Sequence, residues 1–225
     1  MPKENFNGYV KYDPNNHINI ASSTHVDFNA YRNEDAWLYD DKGIDHFGDF
    51  THHIDVKFVS SFDLNTVCPF WGLTNIVNDY LDILLANEES IWLYLRKTGT
   101  GNYVIKMCES CDGSLYQTPD QAISLGTWYY LKIIKSGTSL KCKGYSDPGR
   151  TTLLWTLPLT LHADHSFRYV FPCNTYNSGD NKKGDLDIEN LDLAPTVAKR
   201  LILRVLDTFG IALTDISKRE KVIII

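Results

Sequence analysis

Residues 127–145 read TWYYLKIIKSGTSLKCKGY, and this stretch decides the architecture. Side chains alternate across a strand, so Tyr129, Leu131 and Ile133 share one face while Trp128, Tyr130 and Lys132 share the other. KSGTS then folds the chain back as a hairpin into a second run, SLKCKGY. The same signature recurs between residues 9 and 193: short β-branched and aromatic runs punctuated by Gly, Asn, Asp and Pro. Examples are THVDFNAY, DFTHHIDVKFVSS, FWGLTNIV, SIWLYLRK, NYVIKMCES, TLLWTLPLTL, FRYVFPCNTY and GDLDIENLDL, with TGTGN as another joint. Counting weaker runs near HINIA and AWLYD, about a dozen strands follow one another without helices between them. That pattern predicts an all-β, two-sheet antiparallel β-sandwich of the jelly-roll kind. NIVNDYLDILLANEES departs from it and reads as a helical turn or a long excursion over a sheet.

Composition narrows the function classes. The chain has 225 residues, 43% apolar and 22% charged, which suits a globular protein with a real core. Thirteen Tyr, ten Phe and five Trp favour sheets and stacking surfaces. A net charge of −6 without a basic stripe gives no reason to expect nucleic acid. No window reaches the roughly 20 apolar residues of a membrane span. The start, MPKENFNGYVKYDPNNH, lacks an apolar signal core, so synthesis is expected in the cytoplasm. Five scattered cysteines, Cys68, Cys108, Cys111, Cys142 and Cys173, do not form a disulfide framework. Cys108-Glu-Ser-Cys111 has the spacing of a zinc knuckle or redox pair, but no second pair accompanies it and ESCDGS reads as a turn, so these are read as ordinary thiols.

Residues 1–8 form a lead-in, 9–194 the jelly-roll domain, and 195–225 a different kind of segment. In APTVAKRLILRVLDTFG, Pro195 marks a helix start and Gly210 a stop. Val197, Leu201, Val205 and Phe209 fall four apart, a helical stripe. The chain ends in apolar residues through Ile225, which either pack on their own sandwich, come from a longer chain, or dock on other protein subunits. Of these, an assembly or docking segment for other protein subunits is the expectation carried forward.

GTWYYLKI, YSDPGRTTLL, FRYVF, NTYNSGDN and IENLDL, with NEDAWLYDDKGIDHFGDFTHHIDVKF upstream, resemble the concanavalin A-like lectin/glucanase superfamily, in particular a variant seen in phage and environmental sequences. The resemblance spans about residues 9–193. It implies a jelly roll of two curved antiparallel sheets. It implies much less about function, because this fold hosts lectins, glycosidases, lyases and passive structural modules.

One motif tests the enzymatic option. Asp185, Asp187 and Glu189 in DLDIE alternate with Leu186 and Ile188, so the three acids share one face. Family-16 glycoside hydrolases of this superfamily carry a Glu-x-Asp-x-Glu strand, which DLDIE resembles in spacing with Asp185 in the first Glu's place. A retaining enzyme needs its carboxyls about 5–5.5 Å apart. Residues four apart on a flat strand have Cα atoms roughly 13 Å apart, and Asp is one methylene shorter than Glu. The row also lies on the domain's last strand. It reads as a solvated strand face. Asn190, between the two apolar alternations, marks a bulge.

The aromatic strand faces are better candidates. In SIWLYLR, Ile91, Leu93 and Leu95 face the opposite sheet, leaving Trp92, Tyr94 and Arg96 outward. With Trp128 and Tyr130, and extended by Trp71 and Asn75, these form a candidate platform for a surface glycan, whose rings pair apolar faces with polar edges. A covering loop such as NDYLDILLANEES would instead bury them. Asp45, Asp49, Asn177 and Asp180 are rim-loop oxygens suited to calcium, although Asp and Asn also make turns unaided. No other cofactor is implied. His52 and His53 alternate faces, and His162 and His165 flank a turn without an evident third ligand.

The expected protein is a non-catalytic, lectin-like structural or adhesion module in a virion or extracellular surface assembly. A glycan-binding module is the first alternative, and a β-glucan hydrolase the second.

Overall fold

The computed structural model describes residues 3–61, 64, 66–178 and 183–194. After a short 3-10 turn at Phe6–Gly8 come β1 (Val10–Tyr12), β2 (Ile18–Ser22), β3 (His25–Tyr31), β4 (Trp37–Asp41), β5 (Phe50–Ser61) and β6 (Val67–Thr74). The one helix among the described residues, α1 (Tyr80–Leu85), follows. The remaining strands are β7 (Ser90–Gly99), β8 (Asn102–Cys111), β9 (Ser114–Gln117), β10 (Gln121–Ile123), β11 (Trp128–Ser136), β12 (Ser139–Tyr145), β13 (Leu153–Thr160), β14 (Tyr169–Asn174) and β15 (Lys183–Asp192).

They form two antiparallel sheets. The first runs β1-β4-β14-β6-β7-β8-β10, with β9 also paired to β8. The second runs β13-β12-β11-β5-β15-β3-β2. Consecutive strands cross repeatedly between the layers, as a jelly roll requires. This is the all-β sandwich that the alternating runs predict. Among the described residues, no helix is long and apolar enough to cross a membrane.

Local chemistry explains the joints. Thr100-Gly101 closes the β7–β8 hairpin and Gly137 turns β11 into β12; both glycines have positive φ. Asp112 and Gly113 join β8 to β9 with φ of 50° and 71°, the conformation that an Asp-Gly hairpin favours. Asn190 also has positive φ, where the β15–β5 register shifts between Glu189 and Asp192. The bulge expected at Asn190 is therefore present.

Between the sheets lies one apolar core, in which Ile91, Leu93 and Leu95 of β7 meet Tyr129, Leu131 and Ile133 of β11 with Phe28, Phe58 and Ile188. A second, smaller cluster covers the outer face of the first sheet: Trp37, Trp92, Tyr94, Cys108 and Phe171 under Tyr80 and Ile83 of α1. Asp79 caps α1, its carboxylate accepting from the amides of Leu81 and Asp82 at 2.8 and 3.2 Å. NDYLDILLANEES thus supplies the covering helix that its sequence allowed. The stripe of Val197, Leu201, Val205 and Phe209, and Ile225, lie outside the described residues, as does Asp180.

Candidate functional site

The structure separates residues that strand alternation grouped together. Trp92 and Tyr94 lie on β7 in the first sheet, whereas Trp128 and Tyr130 lie on β11 in the second. The two pairs point outward on opposite sides of the sandwich, so no single platform contains them. Trp92 is fully buried beneath Tyr80 of α1, ring centroids 5.2 Å apart. Trp71 is also fully buried, but in the inter-sheet core, because the register of β6 against β7 shifts between Pro69 and Trp71. Asn75 is exposed and holds the loop before β14, donating to Ser166 O and accepting from the Arg168 amide. Trp71 and Trp92 are therefore buried away from any platform, and the side-chain amide of Asn75 is engaged in holding its loop.

Tyr94 and Arg96 do reach a cleft. It encloses about 210 Å³ on the outer face of the first sheet. Tyr94 and Arg96 come from β7, Tyr80 and Leu84 from α1, Gln117 from β9, Arg32 from the β3–β4 link, and Tyr176 from just beyond β14. The Arg32 guanidinium lies over the Tyr176 ring, 5.1 Å from its centroid, and Tyr176 packs on Tyr80 at 5.8 Å. Two guanidiniums and three phenols thus converge on a small opening. Among the described residues that line it there is no carboxylate and no imidazole. Burial, with the nearby Cys108 thiol, pushes the Tyr94 phenol up, and the same causes act more strongly on Tyr80. Both phenols stay protonated near neutrality and are poor as bases; the Tyr80 hydroxyl is engaged with Cys108 Sγ at 3.2 Å.

On the opposite side, Asp185, Asp187 and Glu189 form the expected outward row of β15, and each carboxylate is occupied. Ser60 donates to Asp185, Lys57 pairs with Asp187, and His25 lies 3.3 Å from Glu189 and 2.9 Å from Asp27. Lys57 also sits over the Trp128 ring at 4.9 Å. The row is a half-solvated charge ladder across β3, β15 and β5, not two acids facing each other across a cleft.

Asp49 accepts from the Gly137 amide at 2.6 Å, Asn177 donates to Asp35 at 2.7 Å, and exposed Asp45 adopts a left-handed conformation. His52 and His53 do alternate: His52 is buried in the core and His53 faces outward, half-buried. Cys108 and Cys111 also point oppositely, Cys108 into the cluster under α1 and Cys111 along the inward row of Ile105 and Met107. They cannot act as a pair.

Arg32, Gln117 and Tyr176 are cleft residues that sequence reasoning missed. Arg32 and Gln117 lie outside the alternating runs, Tyr176 is the last residue of FRYVFPCNTY, and only the sheet crossovers bring them together.

No protein-family model matches the chain, and no curated protein matches it in sequence. Solved structures do share its fold. A legume lectin-like domain from Entamoeba histolytica superposes with a TM-score of 0.57 at 10% identity, covering 84% of this chain and 90% of that one. A functionally unknown protein from Saccharomyces cerevisiae gives 0.56 at 10% identity, over 85% and 99% of the two chains. The alginate lyase from Klebsiella pneumoniae gives 0.52 at 10% identity, over 84% and 87%. The chain therefore has the concanavalin A-like jelly-roll fold, an architecture shared by lectin-like and carbohydrate-cleaving proteins.

Proposed function

We propose that this chain is a non-catalytic, lectin-like module that binds one acidic sugar unit of a longer saccharide in the cleft of Arg32, Arg96, Tyr94 and Tyr176. The observation that carries this reading is the convergence of two guanidiniums with three tyrosine rings. Guanidinium forks suit a carboxylate, phenols suit hydroxyls, and aromatic faces suit sugar C–H surfaces. The cleft, at about 210 Å³, is smaller than the roughly 300–1,000 Å³ of sites that enclose whole ligands. It fits one residue or one end of a chain. The setting we favour is a surface assembly, virion or extracellular, with residues 195–225 supplying subunit contacts.

A lyase is the competing reading, since the same residue types could hold a uronate for elimination and several structures of this fold are alginate lyases. Against it stand the two buried phenols held protonated and the lack of carboxylate or imidazole among the described lining residues. One experiment separates the readings. Oligouronates and neutral oligosaccharides of equal length are titrated while near-ultraviolet absorbance is followed for the unsaturated product of elimination. Binding of the acidic series alone, weakened at least tenfold in Arg96→Gln and without new absorbance, is expected. Rising absorbance would replace the binding module with a lyase, and equal affinity for neutral sugars would remove the acidic ligand.

A further inference from the structure

At one end of the sandwich, away from the cleft lining, the loop between β13 and β14 lays two imidazoles against a carboxylate that is completely buried. Glu109, on the inward row of β8, has no exposed surface. His165 Nε2 approaches its Oε1 at 2.8 Å, and His165 Nδ1 approaches Glu89 Oε2 at 2.9 Å. The His162 backbone amide donates to both oxygens, to Oε1 at 2.9 Å and Oε2 at 3.1 Å, and His162 Nδ1 lies 2.9 Å from Oε2. Two residues along the same strand face, Cys111 brings its sulfur to this group, so that one donor atom each from Glu109, Cys111 and His165 lie within 4.8 Å of one another. All three residues are buried.

An ionised carboxylate only accepts, so in the 2.8 Å contact His165 Nε2 carries the hydrogen that it donates to Glu109 Oε1, and a cation can take that hydrogen's place. We infer that Glu109, Cys111 and His165 form a binding site for a divalent d-block cation, zinc foremost. Zinc takes sulfur at about 2.3 Å and nitrogen or oxygen at about 2.0–2.2 Å in a tetrahedron, which places ligand atoms roughly 3.3–3.6 Å apart. The three donors lie within 4.8 Å of one another, and Glu109 Oε1 and His165 Nε2, now 2.8 Å apart, would separate by roughly 0.5–0.8 Å to reach that spacing. Mixed nitrogen, sulfur and oxygen donors select against calcium and magnesium, which take oxygen. The surroundings also fit. A metal-bound histidine commonly hands its second ring nitrogen to a carboxylate, as His165 Nδ1 does to Glu89, and a metal-bound carboxylate is itself anchored, as Glu109 is by His162. Stacking of His162 on Tyr116, with centroids 3.4 Å apart, holds the loop over the site. The fourth position is left to solvent or a ligand.

The test uses the full chain, stripped with chelator and shown by circular dichroism to be folded. Zinc is titrated against a chromophoric chelator, and cobalt in a parallel sample. One equivalent of zinc should bind, and cobalt should develop a thiolate charge-transfer band. Cys111→Ser should lose the band and bind zinc at least tenfold more weakly. His25→Ala, which disrupts the half-exposed group of His25, Asp27 and Asp187 on the second sheet, should change neither. If Cys111→Ser does not fold, Glu89→Gln takes its place, with an expected 10–100-fold loss of affinity. A folded parent that takes up no zinc, a band that survives Cys111→Ser, affinity unchanged in Glu89→Gln, or uptake abolished by His25→Ala would each overturn the site.

Discussion

Gly72 and Trp92 face each other across β6 and β7, and the indole occupies the space that any side chain at Gly72 would need. A Cβ built there would lie 2.0 Å from Trp92 Cε3. Gly144 and Trp155 repeat the arrangement across β12 and β13 in the other sheet, at 2.3 Å. In both pairs a flat ring lies down on the partner strand instead of standing off it. At Gly72 this lets Trp92 pack flat beneath α1, which carries Tyr80 and Leu84 of the cleft.

Gly72→Ala must therefore move the indole, and α1 with it. An overpacked core costs about 1–3 kcal/mol. The urea midpoint should fall accordingly, and saccharide binding should weaken although residue 72 does not line the cleft. Gly8→Ala, where a Cβ meets nothing within 4 Å, should stay within about 0.5 kcal/mol of the parent. Equal midpoints for the two variants would show that Trp92 has room to move.

Asp55 and Arg150 give a second prediction. Asp55 is 4% exposed, accepting from Arg150 Nη2 at 2.6 Å and Asn190 Nδ2 at 2.8 Å. Arg150→Ala leaves that carboxylate half-satisfied, and breaking a buried pair from one side costs about 3–5 kcal/mol. Adding Asp55→Asn should recover a large part of the loss. A double variant no more stable than Arg150→Ala would place the cost in the Arg150 turn, where φ is 54°, instead of in the stranded charge.

Much of this was legible because alternation is a local property. The sequence of β7 and β11 tells which residues face inward, and KSGTS and TGTGN tell where the chain turns back. Alternation names a face without naming a sheet, however, and Trp92 and Trp128 look equivalent until the crossovers assign them to opposite layers. Trp71 turns inward for a related reason: one bulge residue, between Pro69 and Trp71, inverts everything after it. The donor group was hidden more deeply. Glu109 and His165 lie 56 residues apart, and the Cys108–Cys111 spacing drew attention to a pair that the strand itself splits between faces.

His52 predicts acid sensitivity. It stacks on Phe50 with centroids 4.2 Å apart, neither ring nitrogen has a hydrogen-bond partner among the described residues, and burial lowers its pKa to about 3. A histidine lowered in the folded state stabilises it fully above the ordinary value of about 6.5, and that contribution is lost as pH falls toward 3. The loss is about 1.4 kcal/mol per pH unit, so about 2 kcal/mol at pH 5. His53, lowered to about 4 chiefly by burial, acts in the same window and direction. Urea midpoints at pH 7 and pH 5 should differ by less in His52→Leu than in the parent. An unchanged difference would mean that the ring takes up its proton without leaving the core.

Asp79 predicts a pH effect of the opposite sign. Burial, with repulsion from Asp82 and Asp35, raises its pKa to about 6, although its carboxylate accepts the first amides of α1. A carboxyl raised in the folded state prefers its protonated form there, so its contribution is favourable at low pH and is lost as pH rises from about 3.8 through about 6. The helix gains the cap from an oxygen acceptor, not from the charge. Asp79→Asn keeps that acceptor and removes the buried charge, and Asn caps as well as Asp. The Asn variant should be more stable than the parent at pH 7 and close to it at pH 4. Asp79→Ala loses the cap and should fall about 1 kcal/mol below Asn at both values. Because α1 carries Tyr80 and Leu84, saccharide affinity should follow the same order, Asn at least equal to the parent and Ala below it. An Asn variant less stable than the parent at pH 7 would mean that the charge holds the helix, and the cleft with it.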